Sequence, residues 1–281
     1  MPGSPPGVRV FVRYPEVTTS RATLLVVAVL TAVLAGAPPA TAASADKLDV
    51  QVRGRTIMLT IYHPRTAPRG TILMGSGDVG WVGLAVSMAE ELSAAGYLVI
   101  GLNARQYLSA FTAGTEHATT LDVPSDYRSI ADRLKEKQLL VRPVVVAGVS
   151  EGAALAVLAG ADAKNHDWID GVMTMGLPMT AELAWRWTDL WAAAVKKDAD
   201  EPSFTVADFV ARVSPVPLWM IQSRTDEYVP PADYERLRTF AKPPAQLVLI
   251  DAANHRFTDR RPDLSRAVAA GLQWIANAGR P

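Results

Sequence analysis

The chain has no cysteine, which rules out disulfides, thiolate metal ligands and a lipid-bearing cysteine. Histidine is scarce, at four in 281 residues, so candidates for a catalytic base are few. No charge excess exists either. The 28 Lys and Arg balance 28 Asp and Glu, with no basic run or basic–aromatic stripe, which argues against nucleic acid as a partner. No H-E-x-x-H, paired-cysteine or P-loop pattern occurs, so no metal is expected. Internal repeats and low-complexity segments are absent after residue 45.

The first 45 residues read as a leader. Arg9, Arg13 and Arg21 precede an uncharged apolar segment, Ala22 to Ala37, then Pro38-Pro39 and a small-residue A-x-A exit. That is the layout of a secretory signal peptide, with cleavage expected after Ala42 or Ala45. The apolar segment is shorter than the roughly 20 residues a spanning helix needs. The exported part, residues 46–281, has the size of one domain and would be held by its apolar core alone.

Along this domain, Leu48–Val52 and Ile57–Ile61 alternate apolar and polar residues around Gly54, as a hairpin does. Strands then alternate with helices. Expected strands are Thr71–Met74, Tyr97–Leu102, Val144–Ala147, Gly171–Met175, Leu218–Gln222 and Gln246–Ile250. Expected helices are Val82–Ala95, Ser125–Lys137, the stretch from Ala153, one near Ala232–Phe240, and one from Pro262. This order predicts an α/β fold with a mostly parallel central sheet, helices on both faces, and a site at the carboxyl ends of the strands. Between about 177 and 215 the alternation breaks. A tryptophan-rich helix, Ala181–Val195 with Trp185, Trp187 and Trp191, is read here as a small helical cap beside the site.

The strand Val144–Ala147 runs into Gly148-Val149-Ser150-Glu151-Gly152 and then an Ala-rich helix. A strand ending in G-x-S-x-G before a helix is a nucleophile elbow, which lifts a serine hydroxyl above the sheet. A serine needs a base, and the base an orienting acid. His63 lies upstream of the serine, His117 in a polar loop, and His166 behind the serine's helix; only His255 follows a later strand in a loop able to face Ser150. Asp226 is the expected acid, with Glu227 and Asp251 as rivals; Asp251 is too near His255 in the same loop to approach the ring from its far side. The chain order is then Ser150, Asp226, His255. The oxyanion hole is expected from the backbone N–H groups of Glu151 and Asp78, the latter in the loop Gly75-Ser76-Gly77-Asp78-Val79-Gly80-Trp81.

That loop also matches the dinucleotide pattern G-x-G-x-x-G. An acid should then end the next strand, but the chain reads Gly101-Leu102-Asn103-Ala104-Arg105, and only an NADP oxidoreductase using Arg105 survives as a rival. No cofactor is expected.

The assembled pattern resembles the α/β-hydrolase superfamily over nearly all of residues 46–281. Within it, Ser76-Gly77-Asp78 through Trp81, followed by Gly96-Tyr97-Leu98-Val99, resembles the VirJ/AcvB bacterial virulence family. The resemblance implies an exported, periplasmic serine hydrolase that removes aminoacyl groups such as lysyl from phosphatidylglycerol, a membrane lipid. It carries the nucleophile onto Ser150, the acid onto Asp226, the base onto His255 and the loop aspartate onto Asp78. Val79 stands where that family has glycine, Val149 where it has an aromatic residue and Glu151 where it has phenylalanine, while Arg105-Gln106-Tyr107-Leu108 only loosely echoes a family segment. Asp78, Glu151 and Glu227 are acids expected near the serine, and Trp81, Trp185 and Trp187 are expected to wall a lipid or acyl chain. The expected activity is cleavage of carboxylic esters. The rivals are a general carboxylesterase on small acyl esters and a non-catalytic binding protein.

Overall fold

A computed structural model of the chain describes residues 45–185 and 202–278. The leader up to residue 44, with Trp187 and Trp191, lies outside the described residues.

A hairpin, β1 (Ala45–Val52) and β2 (Arg55–Tyr62), opens the domain. Then come β3 (Thr71–Gly75), α1 (Leu84–Ala94), β4 (Leu98–Leu102), α2 (Ala104–Ala110), α3 (Asp122–Glu136), β5 (Val144–Val149) and α4 (Glu151–Ala161). The second half has β6 (Gly171–Met175), β7 (Thr180–Glu182), β8 (Ser203–Thr205), α5 (Ala207–Val210), β9 (Leu218–Ser223), α6 (Pro231–Phe240), β10 (Ala245–Ile250) and α7 (Arg261–Ala278). Eight strands form one sheet in the order β1-β2-β4-β3-β5-β6-β9-β10. The β1–β2 and β2–β4 pairs are antiparallel, and all others are parallel.

The parallel strands are buried on both faces, so they read as continuous apolar runs such as Val144–Val149. Two cores result. One packs α3 and α4 against the sheet, through Tyr107, Tyr127, Leu134, Leu155 and Leu158. The other packs α1 and α7, through Met88, Leu92, Leu264, Val268 and Leu272. Helix α4 is apolar all round because it is buried all round; every residue after Glu151 is inaccessible. Buried Asp126 on α3 accepts the Arg53 guanidinium at 2.8 and 2.7 Å and the Tyr107 hydroxyl at 2.6 Å. This pins the β1–β2 turn to the α3 side. Removing Arg53 would leave the buried Asp126 without its countercharge.

One expectation is corrected, and one helix was not foreseen. Ala181 does not begin a helix. It lies in β7, paired antiparallel with Phe204 of β8, and the amide of Glu182 is held by the Glu151 carboxylate at 2.5 Å. Local alternation, with Ala181 inward and Thr180 and Glu182 outward, prevails over the helix-forming composition. The segment Ala104–Ala110, carrying Arg105-Gln106-Tyr107-Leu108, is a helix capped by Asn103, whose side chain accepts the Gln106 amide at 3.1 Å.

Candidate active site

Ser150 is the turn between β5 and α4, and its backbone sits at φ 52, ψ −117. That region is unfavourable for a residue with a Cβ and is found where a structure over-determines it. Here the surroundings do so. The Ser150 amide donates to Met175 O at 2.9 Å and that of Gly152 to Ser76 O at 2.9 Å. The flanking glycines are set by close approach: a Cβ on Gly152 would lie 2.4 Å from the Gly75 carbonyl carbon, and one on Gly148 would lie 2.0 Å from Gly152 O.

His255 lies beyond β10 and is buried. Its Nδ1 meets Asp226 Oδ2 at 2.7 Å, and the other carboxylate oxygen accepts the amides of Tyr228 and Val229 at 2.8 and 3.0 Å. Asp226 is thus the acid that touches the ring. Glu227 instead accepts the backbone amide of His255 at 2.8 Å, and Asp251 pairs with Arg224 at 2.7 Å. The other histidines are engaged elsewhere: His63 with Asp46, His117 with Ala118 O, His166 with Gly160 O. With Nδ1 on Asp226, the remaining ring nitrogen of His255, Nε2, is buried and has no hydrogen-bond partner among the described residues.

Ser150 and His255 line one cavity of about 360 Å³. Its walls are Gly77 to Gly80, Val82 to Ala85, Val149, Tyr228 and Arg256. Tyr228 stands edge-on to His255, with ring centroids 5.3 Å apart. A larger cleft of about 540 Å³ between α1 and α7 contains neither Ser150 nor a histidine.

Asp78 and Glu151 both flank the serine, and among the described residues no acceptor takes the amide of either. Ser76 shapes the Asp78 loop: its hydroxyl accepts the Ala104 amide at 3.0 Å and donates to Gly77 O at 3.1 Å. Gly77 lies beside Ser150, where a Cβ would sit in ordinary contact at 3.5 Å from Ser150 Cβ. Burial, with help from the neighbouring Glu182 and Asp78 carboxylates, pushes the Glu151 carboxyl up to about 8 against the opposing pull of the Glu182 amide.

The tryptophans are placed differently from the expected wall. Trp81 lies against Gly101, where a Cβ would come within 2.3 Å of its ring, and donates to Tyr62 Oη at 3.0 Å. Trp185 is buried in the α3–α4 core with Arg105 stacked 4.0 Å over its ring. Neither lines the serine cavity, and Trp187 falls outside the described residues. The apolar part of the cavity wall is made by Val79, Val82, Leu84, Ala85, Val149 and Tyr228 instead.

Gly176 went unnoticed in the sequence. It follows β6 with φ 63, and a Cβ there would lie 2.6 Å from His255 Cε1, so its bareness makes room for the ring. A glycine directly after a buried parallel strand, in Gly176-Leu177-Pro178, was the available signal.

The residues that would hold a dinucleotide's ribose are otherwise engaged or missing. Gly75 and Gly77 pack on the elbow, Asn103 caps α2 where an acid would be needed, and Arg105 is stacked on Trp185. Among the described residues no group of three or more His, Asp or Glu side chains converges as a metal site requires.

The family model described as bacterial virulence protein (VirJ) matches residues 70–235. Over 68 residues, 35% are identical to the uncharacterized protein YfhR of Escherichia coli (strain K12), and the match spans only 24% of either chain. Among solved structures, Est1E from Butyrivibrio proteoclasticus superposes over 82% of this chain and 99% of its own, with TM-score 0.61 and 15% identity. The α/β hydrolase GrgF from Penicillium sp. sh18 covers 83% and 99%, with TM-score 0.62 and 12% identity. XC6422 from Xanthomonas campestris, described as an α/β serine hydrolase without lid, covers 84% and 97%, with TM-score 0.54 and 17% identity. At these identities the likeness is one of fold: the α/β-hydrolase fold.

Proposed function

The chain belongs to the bacterial virulence protein (VirJ) family, and on that premise we propose that it hydrolyses carboxylic esters through an acyl-enzyme formed on Ser150. The observation that carries this reading is the His255 ring, with Nδ1 on Asp226 and a buried, unpartnered Nε2, in the wall of the cavity that holds Ser150.

In this mechanism His255 Nε2 takes the Ser150 proton as Oγ attacks the ester carbonyl. Asp226 keeps the Nδ1 proton in place and stabilises the imidazolium that forms. The amides of Asp78 and Glu151 receive the oxyanion. Collapse expels the alcohol, which takes the proton from His255. Water, activated by the same ring, then releases the acid and restores the serine hydroxyl.

We read the substrate as an aminoacyl ester of a membrane phospholipid, lysyl-phosphatidylglycerol in kind. Supporting this, burial above all, and then the Glu182 and Asp78 carboxylates, hold the Glu151 carboxyl up, and a cationic acyl group beside it would favour its ionised form. The alternative is a general carboxylesterase, favoured by the modest cavity and its aliphatic residues Val79, Val82, Leu84 and Val149. Export to the periplasm is part of the same proposal. Because β1 begins at Ala45, paired with Tyr62, cleavage after Ala42 would leave that strand whole.

The test compares turnover of lysyl-phosphatidylglycerol in mixed vesicles with that of short p-nitrophenyl esters. Wild type is expected to cleave the lipid with the higher kcat/KM, and Ser150→Ala neither. Turnover of the short esters alone would replace the lipid reading with the general esterase.

A further inference from the structure

The same cavity has a second character that ester cleavage does not use. Gly83, Leu84 and Ala85, the N-cap and first two residues of α1, form part of its wall. This helix start has no side-chain cap and no acidic residue in its first turn. Among the described residues no acceptor takes the amides of Gly83, Leu84 or Ala85. Uncapped N-terminal amides carry a partial positive charge and attract anions.

Arg256 forms another part of the wall. Among the described residues its guanidinium has no carboxylate or other hydrogen-bond partner. The neighbouring basic side chains are committed: Arg224 to Asp251, Arg260 to the Asp251 carbonyl, Arg261 to the Ser87 hydroxyl. The third polar element is His255 itself, nine-tenths buried with Nε2 unpartnered in this wall. One carboxylate, that of Asp78, also lines the cavity, with Oδ1 tied to the Val79 amide at 2.9 Å.

We propose that the α1 N-terminus and Arg256 bind an oxyanionic group of the substrate, a phosphate ester or a carboxylate, next to the reacting Ser150. The proposal rests on the ester-hydrolase reading and narrows it to esters that carry such a group. The amides offer directional donors and Arg256 a planar fork that suits either oxyanion. The reacting carbonyl is left to the separate amides of Asp78 and Glu151.

Two sets of measurements test it. The first compares kcat/KM for the acetyl esters of glycerol, glycerol 3-phosphate and glycerate. Wild type is expected to prefer one or both anionic esters over the neutral one by about tenfold or more, and the favoured ester tells phosphate from carboxylate. In Arg256→Gln the ratio should fall toward one, with Arg256→Lys between. Val86→Glu places an acid at the third position of α1, where it caps the free amides and favours the helix, and it should shrink the ratio without lowering Tm. No preference in wild type, or one unchanged in Arg256→Gln, overturns the proposal.

The second set does not depend on catalysis. Glycerol 3-phosphate and glycerate are titrated calorimetrically into Ser150→Ala with and without Arg256→Gln. Saturable binding of either compound that weakens about tenfold without Arg256 supports the anion site even if no ester is cleaved, in which case the hydrolase reading fails alone. Absence of binding of both compounds, alongside turnover of the neutral ester, removes the anion site and leaves the hydrolase standing.

Discussion

Helices α1 and α4 start in nearly the same backbone conformation, and the chain equips the two starts for opposite tasks. Gly83, the N-cap of α1, lies at φ 57, ψ −118; Ser150, the N-cap of α4, lies at φ 52, ψ −117. Both face the reaction cavity. At α1 a glycine takes this geometry without steric penalty, and Leu84 and Ala85 follow with no acid, leaving bare amides. At α4 the same geometry holds a side chain at an expense of order 1–3 kcal/mol, and the next residue is the acid Glu151. The difference teaches that the strained elbow is not needed to start a helix here. It is kept for the hydroxyl.

The largest effects should come from removing the chemistry around the α4 start. Asp226→Asn keeps the shape of the acid but loses its charge, and ester turnover is expected to fall about 10³-fold or more, as it should in His255→Ala. Steady-state assays on a p-nitrophenyl ester check this; losses below about tenfold would show that the Asp226–His255 pair is not part of the machinery.

A smaller loss should follow from crowding the base without touching it. The Cβ of Gly176→Ala would come within 2.6 Å of His255 Cε1 and displace the ring. A misplacement near 1 Å is worth about 10²-fold in rate. The same assay, with circular dichroism showing an intact fold, tests it. Undiminished activity would mean that the ring position is not critical.

The two starts can be exchanged in stability terms. Ser150→Gly should raise stability by about 1 kcal/mol by relieving strain, whereas Gly83→Ala should lower it by about 1 kcal/mol. Nothing lies within 4 Å of a Cβ at Gly83, so its loss would be conformational alone. Denaturant melts of the two variants should shift in opposite directions; shifts of one sign would break the comparison.

A pH-dependent effect concerns the acid that only α4 carries. With its carboxyl raised from 4.5 to about 8, the folded chain keeps the Glu151 proton where the unfolded chain has released it. Stability should therefore decline as pH rises from about 4.5 to about 8, and level off above that. Glu151→Gln retains an oxygen acceptor for the Glu182 amide and removes the titration. The Tm gap between this variant and wild type should widen over that interval and then stay constant. A gap independent of pH would place the Glu151 carboxyl near its ordinary value.

Much of this was legible because the relevant signals are local. Buried parallel strands are unbroken apolar runs, and Val144–Ala147 ahead of Gly148-Val149-Ser150-Glu151-Gly152 announces both a strand end and an elbow. Asp226 and His255 were recognisable from chain order and their places after β9 and β10. What escaped depends on distant partners. Helix α2 is seven residues long, too short for periodicity to stand out, and is secured by packing of Tyr107 and Leu108. Strands β7 and β8 have three residues each and exist through one another. Trp81 and Trp185 looked like a substrate wall because aromatic side chains suit one, yet Gly101 and Arg105 claim them. The cavity's actual wall, from Val79 to Arg256, joins loops far apart in the chain, and no local pattern announces it.

The most direct test of Ser150 as a nucleophile is the mass of the intact domain and of its Ser150 peptide after treatment with a fluorophosphonate. Wild type should gain one phosphonyl group, located on Ser150, while Ser150→Ala gains none and His255→Ala reacts far more slowly. An unlabelled wild type, or equal labelling of Ser150→Ala, would contradict the assignment.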